Sequence, residues 1–314
     1  MSSMSKSMSL NCRIGRQGDE ALMYRNIYVA LFIGTIMLSL QNAGQAQGLQ
    51  YPPKQNHLKL SASTAGGDIL SFVSTVGGDI LHVFSSPLRL TQEDGLQLLA
   101  FTATTTVFVT LLDKNIDGDF IERDDFYVKP AMALAKIGDG YDKVTPKKVL
   151  IGLSASMLAG GLIFKDKKLL QTTRLMVESF FITGKITMIG KGVFGRARPY
   201  TGEGPLDFAW LKFNASQQRR SLPSGHTSSA FSIMTVLAKQ YDSWWIKIPA
   251  YTVGVAVAFQ RMESRSHWGA DVIVGGAIGY SVSSTLVNRY RKPSKSSSAH
   301  PYLFGNRVGL IVSF

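Results

Sequence analysis

The sequence predicts an all-α protein, a bundle of about six core helices with its motif residues gathered at one end and an N-terminal signal or anchor helix before it. Charged residues make up only 18% of the 314 residues, below the usual share of about 25%. A low share of charge together with several nearly apolar stretches suits a helical bundle.

Apolar stretches bounded by polar or basic residues define the individual elements. A loop is predicted at residues 113–125 and a polar loop at 201–222. The last residues, 308–314, alternate apolar and polar side chains, which predicts a strand-like end. The predicted helices cover residues 96–112, 131–137, 149–164, 169–193, 227–241, 244–259 and 268–286.

The N-terminus has the pattern of a secretory signal. Arg13, Arg16 and Arg25 precede an uncharged run with an apolar centre of about a dozen residues, and small residues follow it. This order predicts a signal peptide cleaved after Ala46, or a segment that is retained as an anchor. Translation from Met23 is an alternative start.

Charge and cysteine content restrict the classes of partner. The formal net charge is +13, which fits either a basic loop surface or attraction to anionic lipid headgroups and phosphorylated substrates. No basic run interleaved with aromatic residues is present, so nucleic acid is not expected as a partner. Cys12 is the only cysteine, so the chain has neither an internal disulfide nor a cysteine metal site.

The segment from Gln260 to Asp271 carries the first chemical signal. His267 and Asp271 are four residues apart at a predicted helix start, so the carboxylate can reach the imidazole ring on one face. A carboxylate behind a histidine fixes its tautomer and supports positive charge on the ring. His267 is therefore a candidate nucleophile or base, with Arg261 as a nearby cation.

Two further motifs add cations and an anion site. Lys191 and Arg198 are seven residues apart, two helical turns, and can share one face at a helix end. Ser224, Gly225 and His226 follow a proline at the start of another predicted helix. Backbone N–H groups at such a start attract an anion, the Ser224 hydroxyl adds a donor, and His226 lies beside the site with a proton to give.

The ordered spacing of these three motifs resembles the type 2 phosphatidic acid phosphatase and vanadium haloperoxidase superfamily. The motifs are Lys-x6-Arg-Pro, Pro-Ser-Gly-His and Arg-x5-His-x3-Asp, and the resemblance covers roughly residues 95–290. One departure is Gln260, which stands where the family usually has a serine. Ser264 and Arg265 mimic that dipeptide, but only Arg261 has the family's spacing to His267.

The resemblance implies a metal-independent phosphatase that acts through a phosphohistidine, with no cofactor. Lys191, Arg198, Arg261, Ser224 and Gly225 would bind the phosphoryl oxygens. His267 would attack phosphorus with Asp271 behind it, and His226 would protonate the leaving group and later activate water. The alternatives are a vanadium-dependent haloperoxidase and a soluble periplasmic non-specific acid phosphatase. A third is a phospholipid-binding or structural membrane protein whose anion-binding residues no longer support catalysis.

The chain is divided into four predicted segments. Residues 1–46 form the signal peptide or signal anchor, 47–94 a linker with weak local structure, 95–290 the phosphatase catalytic domain, and 291–314 a basic tail with a short strand-like end. A phosphorylated lipid is the expected substrate. The protein is expected in the cell envelope, membrane-bound with the site facing the periplasm or exterior, or else as a soluble periplasmic domain. Oligomeric state is open.

Two minor patterns receive different interpretations. The run Asp113–Asp124 places oxygen ligands and a glycine as a calcium loop does, but it lacks the final glutamate, and a polar turn between helices is favoured over a calcium site. Arg196 and Arg265 are interpreted as auxiliary surface cations. Trp268 is expected to pack at the rim of the pocket.

Overall fold

The computed structural model describes residues 65–122, 128–241, 243–290, 298–304 and 307–313. The predicted signal or anchor at residues 1–46 lies outside these ranges. Within them the chain forms nine α-helices, bounded as follows: α1 (Ala65–Phe84), α2 (Gln92–Val107), α3 (Asp113–Glu122), α4 (Val128–Val144), α5 (Pro146–Ile163), α6 (Lys167–Phe194), α7 (Gly225–Gln240), α8 (Trp244–Glu263) and α9 (Gly269–Tyr290).

The helix α7 lies at the centre of the bundle and packs against α6, α8 and α9. Small residues permit this close approach. A side chain at Gly279 of α9 would overlap the Ser228 carbonyl oxygen of α7, and one at Gly254 of α8 would touch the Phe231 ring. The all-α bundle is thereby confirmed, with α4 to α9 as its six principal helices.

Three helices in the described ranges are long and apolar enough to cross a membrane. They are Gln92–Glu122, Pro146–Ile163 and Gly269–Tyr290. The last is mostly buried inside the bundle, whereas the first two expose most of their apolar side chains.

The prediction of a loop at residues 113–125 is wrong up to Glu122. A π-helical turn, Phe108–Leu112, joins α2 to α3 and keeps the chain helical to Glu122. The apolar face continues into this segment, since Phe120 is buried in the same cluster as Phe108. The calcium-loop pattern therefore lies on a helix from Asp113 to Glu122, and Asp113 is buried in an ion pair.

Part of the predicted linker also has defined structure. Residues Ala65–Phe84 form α1, although weak local structure was expected over residues 47–94. Asp79 of α1 is buried and accepts hydrogen bonds from Arg174 of α6 and Tyr290 of α9. This polar contact attaches α1 to the bundle, and the sequence pattern gave no sign of it. The boundaries of the four segments stay a prediction.

After α9, two strands form an antiparallel hairpin, β1 (Ser298–Phe304) and β2 (Arg307–Ser313). The strand-like end predicted at residues 308–314 corresponds to β2. The first strand was not predicted, because its residues were assigned to a basic tail.

A buried arginine connects three parts of the fold. Arg196, in the segment after α6, is fully buried, and its guanidinium donates to Asp113 of α3 and Asp271 of α9, both at 2.7 Å. Its Nε donates to the Pro205 carbonyl oxygen at 2.8 Å. The interpretation of Arg196 as a surface cation is wrong, because two buried carboxylates require a buried cation.

We expect Arg196→Gln to lower the free energy of unfolding by about 3–5 kcal/mol, because it leaves two buried carboxylates without their cation. Arg219→Gln is the matched control, since Arg219 pairs with Asp207 on the surface, with both side chains about one-third exposed. That change should cost at most about 1 kcal/mol. Thermal unfolding of the purified variants measures both. Equal effects would contradict a structural role for the buried pair.

Candidate active site

The end of α6 delivers the first cation. The helix stops at Gly195, whose φ of +54° is the left-handed conformation that glycine adopts without strain. Lys191 lies one turn earlier, and its ammonium group donates to the Arg220 carbonyl oxygen at 2.7 Å. Burial, reinforced by Arg198, lowers the pKa of Lys191 to about 7. The lysine is thus poised to gain or lose its charge near neutral pH.

Arg198 follows in extended backbone and supplies the second cation. Its backbone N–H is fixed by the Gln218 carbonyl oxygen at 2.9 Å. Its Nε is buried and has no hydrogen-bond partner in the described part of the chain. Burial lowers the pKa of Arg198, with further lowering by Arg261 and Arg220. A buried N–H donor without a partner, close to other cations, is suited to bind an anion.

The start of α7 forms the floor of the site. Ser224 is fully buried, and its backbone N–H donates to the Asp271 carbonyl oxygen at 2.9 Å, which locks α7 to α9. Its hydroxyl lies 2.9 Å from the Thr227 hydroxyl. A side chain at Gly225 would lie 3.8 Å from Lys191 Cε, so the helix start and the lysine are neighbours.

His226, in the first turn of α7, faces the cations. Burial, together with Arg261, Lys191 and Arg198, lowers its pKa to about 4, while Asp142 opposes this shift. His226 is therefore neutral at pH 7 in the absence of an anion.

The third cation, Arg261, lies in the last turn of α8. Its carbonyl oxygen accepts from the backbone N–H groups of Ser266 and His267, which folds the following turn back onto it. Its Nε donates to the Gln260 side-chain oxygen, and its Nη2 lies 2.6 Å from Asp142. Gln260, where the family usually has serine, thus serves as an acceptor that orients Arg261.

His267 and Asp271 lie side by side as predicted, but they are not hydrogen-bonded. His267 Nδ1 is 3.8 Å from Asp271 Oδ2, beyond hydrogen-bond distance. The carboxylate instead accepts from Arg196, from the Ser221 hydroxyl and from the Trp268 backbone N–H at 2.9 Å. Burial, with Lys191 and Arg198, lowers the pKa of His267 to about 3 against the opposing effect of Asp271. Its imidazole is neutral and can act as a nucleophile.

The structure therefore brings all the predicted site residues into one cluster. Lys191 and Arg198 act electrostatically on both histidines, and Arg198 also faces Arg261. Cations from three separated segments thus lie near His226, and two of them also lie near the buried His267.

Sequence reasoning missed several residues that complete this cluster. Asp113, Asp142 and Ser221 contact it from elements outside the three motifs. Only Ser221, just before Pro-Ser-Gly-His, was close enough in sequence to be suspected. Arg265, interpreted as a surface cation, pairs with Asp117 at 2.8 Å and stands at a φ of +51°.

Trp268 is buried, and its indole N–H donates to the Ala197 carbonyl oxygen at 2.8 Å. The contact joins the first and third motifs. In the described ranges no three His, Cys, Asp or Glu side chains are grouped so as to hold a metal ion.

Comparison with known proteins finds a similar protein and a matching family. A lipid A 1-phosphatase of Porphyromonas gingivalis is 25% identical over 177 residues, which is 55% of this chain and 34% of that protein. The chain thus spans about a third of the length of this relative. No solved structure matches the chain at a significant level.

The family comparison covers residues 172–294, which match the model of the PAP2 superfamily. This range contains the three motifs, from Lys191 to Asp271, whereas Asp113 and Asp142 precede it. The resemblance stated from the motifs is confirmed: the chain carries a PAP2 superfamily domain in residues 172–294.

Proposed function

We propose that the protein is a metal-independent phosphatase that hydrolyses a lipid phosphate monoester or diphosphate through a phosphohistidine. The observation that carries this proposal is that Lys191, Arg198 and Arg261 all lie near His226, and that the first two also lie near the buried, neutral His267. Fixed cations stabilise the charge of a phosphoryl group in its transition state without a metal ion.

In the first step, the His267 ring nitrogen distal to Asp271 attacks phosphorus. The N–P bond forms as the bond from phosphorus to the leaving oxygen breaks, and His226 gives that oxygen its proton. Binding of the anion favours this protonation, because it offsets the three cations that lower the pKa of His226. The positive charge on the phosphorylated His267 is stabilised by the nearby Asp271 carboxylate.

In the second step, water replaces His267 on phosphorus. His226 takes a proton from the water as its oxygen attacks, and the N–P bond breaks to regenerate the neutral imidazole and inorganic phosphate. Ser224 and the Gly225 N–H support the same oxygens in both steps. His226 thus loses and regains a proton, and His267 gains and loses the phosphoryl group, so the enzyme returns to its starting state.

A lipid substrate is supported by the surface of the bundle. The segment Gln92–Glu122 is bilayer-length, exposes apolar side chains, and bonds its threonine hydroxyls back to its own carbonyl oxygens at 2.7–2.9 Å. A polar side chain satisfied within its own helix carries little cost in a lipid environment. Helix α5 exposes a similar apolar face. We propose that both faces contact lipid.

The loop between α6 and α7 carries exposed apolar side chains at the same end as the site. Leu206, Trp210, Leu211 and Phe213 are each more than half exposed. The loop is fixed to α6, since the Leu211 N–H donates to the Val193 carbonyl oxygen at 2.8 Å. Aromatic and aliphatic groups here suit the headgroup level of a membrane, where they contact the chains of a lipid substrate.

Orientation follows from the distribution of charge along α9. The helix has Asp271 in its first turn, at the site, and Arg289 in its last turn, and Arg291 and Lys292 follow in sequence. The positive-inside rule assigns that end to the cytoplasm and the site to the periplasm or exterior. We propose residues 1–46 as the signal or anchor that targets the chain there.

We expect the protein to release inorganic phosphate from at least one lipid of a panel, with a water-soluble ester as reference. The panel contains phosphatidic acid, phosphatidylglycerol phosphate, a polyprenyl diphosphate and a lipid A phosphate. His267→Ala should lower kcat by about 10⁴-fold, because it removes the nucleophile. His82→Ala, on α1 and outside the cluster, is the control and should keep the wild-type rate.

Retention of a near-wild-type rate by His267→Ala would contradict the nucleophile assignment. Bromide oxidation with vanadate and peroxide, in the absence of phosphate release, would instead favour the haloperoxidase alternative. Strong inhibition by EDTA that a divalent metal reverses would contradict the metal-independent mechanism.

We expect inorganic phosphate to inhibit less strongly as the pH rises above about 7, because the pKa of Lys191 is lowered to about 7 and the neutral amine no longer attracts an anion. Lys191→Arg stays charged throughout this range. The ratio of the wild-type inhibition constant to that of Lys191→Arg should therefore grow by up to about tenfold per pH unit above 7. A ratio that does not vary with pH would contradict the role of Lys191.

We expect the double change Leu206→Ser and Leu211→Asn to lower kcat/KM on lipid phosphate in vesicles by at least about tenfold, since burial of each large apolar side chain is worth about 1.5 kcal/mol or more. Hydrolysis of the water-soluble ester should not change. Leu88→Ser, at an exposed position after α1, is the control. Equal loss on both substrates would show that the loop acts on the site rather than on lipid.

A further inference from the structure

We propose that Asp142 is a positioning residue for the acid–base step: its carboxylate holds His226 and Arg261 together so that the imidazole passes its proton to and from the reacting oxygen. The inference rests on the phosphatase function proposed above. It assigns a role to a residue that precedes both the three motifs and the matched domain.

The geometry joins three elements through one side chain. Asp142 stands in the last turn of α4, with Oδ1 at 3.2 Å from His226 Nε2 of α7 and Oδ2 at 2.6 Å from Arg261 Nη2 of α8. The two oxygens therefore contact two different site residues. The side chain of Asp142 is about one-third exposed, as is that of His226. The bridge is therefore partly open to solvent, whereas His267 is buried.

The contact determines which ring nitrogen of His226 handles the proton. An ionised carboxylate only accepts hydrogen bonds, so Nε2 carries hydrogen in both the neutral and the protonated ring. Nδ1 is then the nitrogen that gains and loses a proton. As imidazolium, the ring gives the Nδ1 proton to the leaving oxygen. As neutral imidazole, it accepts a proton at Nδ1 from the attacking water.

Charge supports the same role. Four charged groups act on His226: Arg261 of α8, Lys191 of α6, Arg198 after α6, and Asp142 of α4. The three cations and burial disfavour the imidazolium form, and Asp142 favours it. Without that carboxylate, the ring would be harder to protonate when the leaving oxygen needs its proton.

The bridge also limits the motion of Arg261. The Arg261 guanidinium is held at Nε by the Gln260 side-chain oxygen and at Nη2 by Asp142. Its remaining N–H groups are then held in a fixed direction and can bind an anion. A purely structural tether from α4 to α8 would explain the Arg261 contact. It would not explain why the other oxygen of the same carboxylate lies 3.2 Å from the ring that transfers the proton.

The test is Asp142→Asn, assayed by the single-turnover rate of leaving-group release from two water-soluble esters. With an alkyl phosphate, whose leaving oxygen needs a proton, the rate should fall about 10- to 100-fold. With nitrophenyl phosphate, whose leaving group departs as an anion, the fall should be less than about threefold. The alkaline limb of the alkyl phosphate profile should move to lower pH by about one unit, because loss of the negative charge lowers the pKa of His226.

Two further variants are needed for interpretation. Asp139→Asn, one turn earlier on α4, removes a carboxylate for which no contact with His226 or Arg261 is found in the described residues, and it should leave both rates and the alkaline limb unchanged. Asp142→Glu keeps the charge, so the alkaline limb should stay at the wild-type pH even where the rate falls.

An equal loss on both esters with an unmoved alkaline limb would overturn the proposal and leave Asp142 as a structural tether. Unchanged rates in Asp142→Asn would overturn it as well. Should Asp142→Asn fail to fold, a shifted alkaline limb in Asp142→Glu would overturn the proposal and an unshifted one would support it. A wild-type protein that hydrolyses neither the esters nor the lipid panel would count against the phosphatase function itself.

Discussion

The site depends on one buried interaction, the contact of Arg196 with Asp113 and Asp271. Burying three charges is favourable only when each is fully paired, and here both guanidinium Nη atoms meet a carboxylate at 2.7 Å. The ring centroids of Phe208 and Trp268 lie 5.5 Å from the guanidinium carbon, and the arginine is fully buried. This arrangement holds the start of α3, the segment after α6 and the start of α9 together, so it fixes the position of Asp271.

The positive charges near the two histidines control the pKa values of these rings. In the described residues Lys191 and Arg198 form no ion pair with a carboxylate, and Arg261 pairs only with the partly exposed Asp142, in contrast to Arg196. Burial and these cations lower the pKa of His226, and burial with Lys191 and Arg198 lowers that of His267, which keeps both rings neutral until an anion arrives. An incoming phosphoryl group supplies the missing negative charge, and it restores the proton affinity of the ring that must donate. Without an anion the site therefore favours neutral His267, the nucleophile, and with a bound anion it favours protonated His226, the acid.

The sequence was sufficient for the parts of the site that lie within short motifs. The prediction that His267 and Asp271 are neighbours was right, since their side chains lie 3.8 Å apart, but His267 precedes α9, so the two do not share a helix face. The sequence was not sufficient for Asp142 and Asp113, because the helix partner that each carboxylate meets depends on packing between distant segments. Arg196 was misjudged for the same reason: a cation between glycine and alanine has no local mark of burial until its carboxylate partners are known.

The most direct measurement is the identification of the phosphorylated residue after rapid acid-free quenching of the enzyme during turnover, by mass spectrometry of its peptides. The account predicts an acid-labile phosphoryl group on the imidazole of His267, formed and lost at rates compatible with turnover. A phosphoryl group on another residue, or direct hydrolysis with inversion at phosphorus and no phosphorylated enzyme, would contradict it.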